Sequence, residues 1–324
     1  MRISVESWGP DYGGELELGP QEATVEAIDV SCEDRAWEPV APAPLDGLAE
    51  APIAFVDGTR RMDARLFLMD GGSAPIPGVA GSVGVGAVTC EPIAPSNGTW
   101  YTPRRAQITE CRITRYLAMG EGKSLDLPAG PGLEFEAMPH PARDLEQLAD
   151  AIHDRMRTNE ADLAAEIATD GHLVFLDGPL AKMRPGPARV IAYIKSHNRR
   201  YLGPDEEAIL GTLGCGERTP LFAFGEPRPR YSWYLRLCAL DETQHSWHGL
   251  VRCEVPAAVS QKTAVELADA SATLLPRFAS LPHWDPRAPQ NLVPVAGLEK
   301  KMRHLLGDRV LVNRMIKDAA RRMA

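Results

Sequence analysis

"IAFVDGTRRMDARLFLMDGG", residues 53–72, decides how this chain is read. An apolar run meets Asp57 and Gly58, and Arg60 and Arg61 follow. A continuous apolar run marks a strand covered on both faces. Asp-Gly is a favoured turn dipeptide, because Gly takes φ > 0 and Asp bonds its own backbone. The spacing therefore predicts a strand over 53–57, a turn, and a second strand over 62–69. "HLVFLDGPL", residues 172–180, repeats the pattern and places Asp177 before Gly178. Taken alone, each aspartate is explained by its turn. Two buried strands side by side would instead bring the carboxylates together, and like charges that close repel unless a cation lies between them.

Further strands are predicted over 80–90 and 108–118, giving with the first two an antiparallel meander. In "ARDLEQLADAIHDRMRTNEADLAAEIATDG", Leu145, Leu148, Ile152, Met156, Leu163 and Ile167 recur at helical spacing, and Gly171 follows. That predicts a helix of about 25 residues, roughly 40 Å long. "HLVFLDG" and "RVIAYIKSH" read as buried strands and "PDEEAILGTL" as a short helix. "PLFAFGE", "RYSWYLRLCAL" and "WHGLVRCEV" read as more strands, and helices near 259–275, 294–306 and 308–323 close the chain. The order argues for an α/β fold: a mixed sheet flanked by helices, with additional strands and C-terminal helices. Before residue 51, "RISVESW" and "ATVEAIDV" alternate as strands do, and "WEPVAPAPLDGLAEAP" reads as a strap. We take 1–50 as one segment and 51–324 as the main domain.

No apolar run reaches the roughly 18 residues of a membrane span, and the N-terminus lacks the apolar core of a secretory leader. The six cysteines form no CxxC pair, which fits free thiols in a reducing cytoplasm and argues against zinc. The net charge of −9 excludes a protein that coats DNA by charge alone. Any nucleic acid would need a local basic channel. Candidates are "TPRRAQ", "KSHNRRYL" with Arg199 and Arg200, "EPRPRYSWYLR" and "KDAARRMA", each of which equally suits a solvated face.

The long helix supplies a third acid. Its apolar stripe is interrupted between Met156 and Leu163, where Asn159 and Glu160 stand. Glu160 and Glu166 lie on opposite flanks of the stripe, and periodicity does not choose between them. Lys195 ends the strand after Asp177 and would meet a phosphate or an attacking water. Carboxylates and a lysine at strand ends suit two-metal phosphodiester hydrolysis, with Mg²⁺ or Mn²⁺ on oxygen ligands. "MGEGKS" lacks the earlier glycine of a phosphate loop, Tyr193 stands where a restriction-type core needs an acid, and His283 is a lone histidine in a Pro-rich loop.

In order and spacing these residues resemble the NurA nucleases. The likeness lies in "VDGTRR", a helix glutamate 17 residues before the second Asp-Gly, "FLDGPL", and "IAYIKSH" with its lysine. It runs from about residue 50 to the end. It implies an RNase H-like core, a ring-shaped homodimer, DNA cleavage with Mn²⁺, and work beside HerA, a hexameric DNA-translocating ATPase, in DNA end resection and repair. By that resemblance Asp57, Glu160 and Asp177 are the metal carboxylates, the 17-residue spacing selecting Glu160 over Glu166, and Lys195 is an active-site cation. Arg60 and Arg61 would contact DNA. One stretch departs: in "NLVPVAGLE", Asn291 stands in the family's tyrosine slot and Glu299 in its histidine slot. Glu299 would still accept a metal or a proton.

The expectation is a cytoplasmic, metal-dependent deoxyribonuclease, with 1–50 as a possible docking segment for the ATPase. Two other readings stand beside it: a catalytically impaired adaptor or ring partner, which the altered C-terminal slots favour, and a nuclease serving defence rather than repair.

Overall fold

β1 (Ile53–Leu68) does not stop at Asp57-Gly58. In the computed structural model one strand of 16 residues replaces the two predicted strands and the turn between them. Its first five residues are buried, and from Gly58 on only Asp63 is. The turn reading fails because Gly58 serves a different need, described with the site below. The structure describes residues 28–42, 51–69, 74–92, 101–183, 189–197, 200–225, 229–241 and 244–323.

Along the chain follow β2 (Ile76–Cys90), β3 (Ala106–Met119), β4 (Leu127–Gly130), β5 (Leu133–Pro139), α1 (Leu145–Thr169), β6 (Leu173–Asp177) and β7 (Val190–Ile194). After these come α2 (Pro204–Glu207), β8 (Phe222–Phe224), β9 (Arg230–Arg236), β10 (Leu250–Pro256), α3 (Gln261–Leu274), α4 (Val293–Leu305) and α5 (Arg309–Met323). The strand order is β4-β5-β3-β2-β1-β6-β7-β10-β9-β8. The sheet is mixed: β6/β7 and β3/β5 are parallel, while β7/β10, β10/β9, β9/β8 and β4/β5 are antiparallel. A mixed α/β chain with a large sheet is thus what the patterning predicted, and α1 spans the predicted 25 residues. β4 and β5 were not foreseen. β4 reads "LPAG", and its Pro, its Gly and the register shift between Pro128 and Gly130 hide the alternation.

The chain divides into two units that are not consecutive in sequence. The first comprises the described parts of Met1–Phe55, Thr89–Gln107 and Ala164–Ala296. Its core is aromatic: Phe55 stacks on Phe175 at 5.4 Å and lies 4.8 Å from Phe278. α3 is capped by Ser260, whose Oγ accepts from Thr263 N at 3.1 Å. The helix offers Ser271 Oγ to Trp233 Nε1 at 2.9 Å, so the buried indole is satisfied. The N-terminal segment joins the same unit, with Asp29 bridging Ala223 and Val40 bridging Arg218. Glu33 holds it there, accepting from both terminal nitrogens of the fully buried Arg218 at 2.9 Å. Asp269 takes Arg218 Nε at 2.7 Å. The strands expected at 2–8 and over most of 23–30 lie outside the described residues.

The second unit comprises the described parts of Val56–Val88, Ile108–Leu163 and Gly297–Ala324. Val312, Ile316 and Ala319 of α5 pack with Ile76, Leu117, Leu127 and Phe135. α4 and α5 are separated by Gly307, and Asp308 Oδ1 caps α5 by accepting from Leu311 N at 2.8 Å. Among the described residues no helix is long and apolar enough to cross a membrane.

Candidate active site

In the second unit the site begins where β1 loses its cover. Asp57 is 7% exposed and Glu160 of α1 is 6% exposed, whereas Glu166 lies open to solvent. Burial thus separates two glutamates that periodicity left equal. A Cβ placed on Gly58 would lie 2.1 Å from Glu160 Oε1 and 3.0 Å from Met156 Cγ. The glycine is there for close approach: the carboxylate fills the space that a side chain would need. The stripe is interrupted at Asn159 because its Nδ2 bonds the Tyr116 hydroxyl at 3.1 Å.

Successive side chains of a strand point to opposite faces, so Asp57 aims away from the side that Glu160 fills at Gly58. Within this unit Glu299 on α4 brings its carboxylate to Asp57. One ligand oxygen of each lies within 4.8 Å of the other. Glu299 is itself buried and accepts from Arg303 Nη2, one turn on, at 3.2 Å.

Arg61 anchors the end of α4. It donates to Gly307 O at 2.6 Å and Leu306 O at 3.0 Å, while its Nε bonds Asp63 at 2.6 Å. Arg115 donates to the same Leu306 carbonyl at 3.3 Å. Cations at a helix C-terminus satisfy its leftover carbonyls. Of the residues expected to touch DNA, Arg61 thus has three internal acceptors, while Arg60 is exposed. Arg200 is exposed, lies 5.7 Å over the Trp247 ring and pairs with Glu207 at 3.5 Å. Arg199 lies outside the described residues.

In the first unit β6 ends at Asp177 as predicted, and Gly178 follows with φ +98°. Its N–H bonds Tyr193 O at 2.9 Å, tying the turn to β7. One residue beyond β7, Lys195 forms an ion pair with Asp177. Lys195 also donates to Asn291 Oδ1 at 3.0 Å, and Asn291 Nδ2 donates to Asp285 Oδ2 at 2.6 Å. Burial pushes the Asp285 carboxyl up, but hydrogen bonds from Arg287 and Asn291 outweigh it and hold it below the usual carboxylate range. Sequence reasoning missed Asp285. The available signal was "DPR", an Asp two residues before an Arg, six residues ahead of Asn291. His283, the lone histidine of the Pro-rich loop, meets the Trp284 ring edge-on at 5.0 Å.

Comparison with known proteins places the chain. A family model described as the NurA domain matches residues 96–295. Glu160, Asp177, Lys195 and Asn291 fall inside that span, and Asp57 and Glu299 outside it. No curated protein matches. Among solved structures, the crystal structure of the NurA nuclease from Sulfolobus solfataricus superposes with a TM-score of 0.50 at 11% identity. The match covers 91% of this chain and 90% of that one, which is a likeness of fold. With more than half of its length matched by the domain, this chain belongs to the NurA family.

Proposed function

We propose that the protein is a divalent-metal-dependent DNA nuclease in which Asp57, Asp177 and Glu299 hold the metal and Glu160 supports the site from the other side of β1. The observation that carries this reading is the approach of Asp57 and Glu299 within 4.8 Å, in a chain of the NurA family. Two buried carboxylates that close are costly unless a cation lies between them. An all-oxygen donor set fits Mn²⁺ or Mg²⁺ and does not fit a thiolate-seeking ion. When bound, such a metal supplies Lewis-acid stabilisation of a phosphoryl oxygen and a water acidified toward hydroxide.

Asp177 is assigned to the same centre by the resemblance to the NurA nucleases, whose second Asp-Gly strand end it matches. Lys195, paired with Asp177, would orient the scissile phosphate or the attacking water. Arg60 and Arg200, both exposed, would contact the DNA backbone, as would Arg199, while Arg61 is better used on α4.

By the same reading the core is RNase H-like, the enzyme is a cytoplasmic homodimer, and a HerA-type hexameric ATPase feeds it DNA for end resection, repair or defence. A ring fed by a partner needs basic residues only in its channel, which accounts for a net charge of −9. Against the adaptor alternative, which the altered C-terminal slots favour, Asn291 bonds Lys195 and Glu299 approaches Asp57.

The test is cleavage of labelled single- and double-stranded linear DNA with Mn²⁺, Mg²⁺ or chelator, with and without a HerA-type ATPase and ATP, and with Asp57→Ala alongside. Metal-dependent cutting that the variant lacks is expected. No cutting under any condition would overturn the reading in favour of the adaptor. Deleting residues 1–30 and measuring co-elution with the ATPase tests whether the N-terminal segment docks the partner.

A further inference from the structure

Asn291 is fully buried between two charged groups that leave its amide one orientation. Lysine ammonium only donates and an ionised carboxylate only accepts. The carbonyl oxygen must therefore face Lys195 and the NH₂ must face Asp285, which is the arrangement observed. Asp285 is fixed in turn. Arg287 donates to its Oδ1 from the backbone N at 2.8 Å and from Nε at 3.2 Å. The intervening turn is closed by Ala288 N to Asp285 O at 3.1 Å and Asn291 N to Arg287 O at 3.0 Å. A second tie joins this turn to β7: the Tyr193 hydroxyl, two residues before Lys195, donates to Gln290 O.

We infer that Asp285 is a positioning residue, acting through Asn291 to hold the Lys195 ammonium against Asp177. The inference rests on the proposed reading of Lys195 as the cation of the site. The ion pair with Asp177 is one anchor at the tip of a flexible four-carbon chain. Asn291 supplies a second acceptor from another direction, and Asp285 keeps that amide from turning over. Lys195 is 9% exposed, so water offers little substitute if either bond is lost. Side-chain freedom is largest for lysine, which is why two anchors matter more here than they would for a short donor.

The experiment uses the full chain and the variants Asp285→Ala, Asp285→Asn and Asn291→Leu. The first measurement needs no nuclease activity: timed acetylation by acetic anhydride, read at Lys195 by peptide mass spectrometry, with melting temperature as the folding control. Loss of hydrogen bonds to charged groups predicts labelling about tenfold faster in Asp285→Ala and Asn291→Leu. Asp285→Asn keeps one acceptor oxygen for the donors of both Arg287 and Asn291, and labels at a rate between those of wild type and Asp285→Ala. The second measurement is steady-state DNA cleavage, where Asp285→Ala lowers kcat about tenfold at little-changed KM and Asp285→Asn restores part of it.

Wild-type labelling of Lys195 in a folded Asp285→Ala protein overturns the inference. Asn291→Leu, which keeps the branching of the side chain, removes the link itself, and wild-type labelling of Lys195 in it overturns the inference if Asp285→Ala does not fold. A wild-type protein that fails to cut DNA overturns the proposed function, and the labelling result then still decides whether Asp285 holds Lys195.

Discussion

The Glu160 carboxylate occupies the space that a side chain at Gly58 would fill: Oε1 lies 2.1 Å from where that Cβ would be. The residue that looked like the end of a strand is the point at which a helix reaches the sheet. Gly58→Ala is therefore expected to push Glu160 aside rather than to break β1, since the clashing atom is the tip of a flexible chain. Misplacing a functional group by about 1 Å costs on the order of a hundredfold in rate, against about 1–3 kcal/mol of stability for overpacking. Cleavage assays beside denaturant melts check this. A Gly58→Ala protein with wild-type cleavage would show that the position of Glu160 does not matter.

Glu160 and Glu299 are told apart by the same assay. Asp57→Asn, Asp177→Asn and Glu299→Gln are each expected to lower cleavage by about a hundredfold or more, as for removal of a charge-stabilising group. Chelator should abolish it. Glu160→Gln, which keeps the shape of the side chain, is expected to act less strongly. A Glu160→Gln protein as inactive as Glu299→Gln would mean that the metal does not lie wholly on the Asp57 side of β1.

Arg60 and Arg61 are neighbours in different settings: Arg60 is exposed, and Arg61 is bonded to Asp63 and the end of α4. Arg60→Ala should weaken DNA binding evenly across sequences and reduce the salt slope by about one. Arg61→Ala leaves the carbonyls of Leu306 and Gly307 without this donor and should lower stability by about 1–3 kcal/mol. Salt titrations of DNA binding and urea melts separate the two, and interchanged effects would refute the assignment.

Arg218 pins the N-terminal segment, and its removal strands Glu33 and Asp269 in a buried site. Arg218→Ala is expected to cost about 3–5 kcal/mol in a denaturant melt. The pH dependence has a definite sign. Burial pushes the Glu33 carboxyl up, but bonds from Arg218, Leu221 N and Arg35 outweigh it and hold it below its usual value. A depressed carboxylate stabilises the fold above its unfolded pKa of about 4.3, and that stability is lost as pH falls through the lower, folded value. Wild-type stability should therefore fall on acidification over that window, and Arg218→Ala should show a flatter profile there. Identical profiles would remove Glu33 from the account.

Much of this was legible in one dimension because it depends on local periodicity. α1 showed its full length in a 3.6-residue apolar stripe, and β6 and β7 showed two-sided cover in unbroken apolar runs. Asp57, Asp177 and Lys195 stood out as charges at the ends of such runs. What the sequence could not decide were the contacts made between distant segments. Whether Gly58 turns the chain or admits a carboxylate depends on a helix about a hundred residues later. Glu160 and Glu166 flank one stripe equally, and only the packing of α1 buries the first. Asp285 looks like a loop residue until folding carries Asn291 to Lys195. Periodicity records which side of an element is covered. Which side chains meet there is set by packing and hydrogen bonds between distant segments, such as Gly58 with Glu160 and Lys195 with Asn291, and these leave no local pattern.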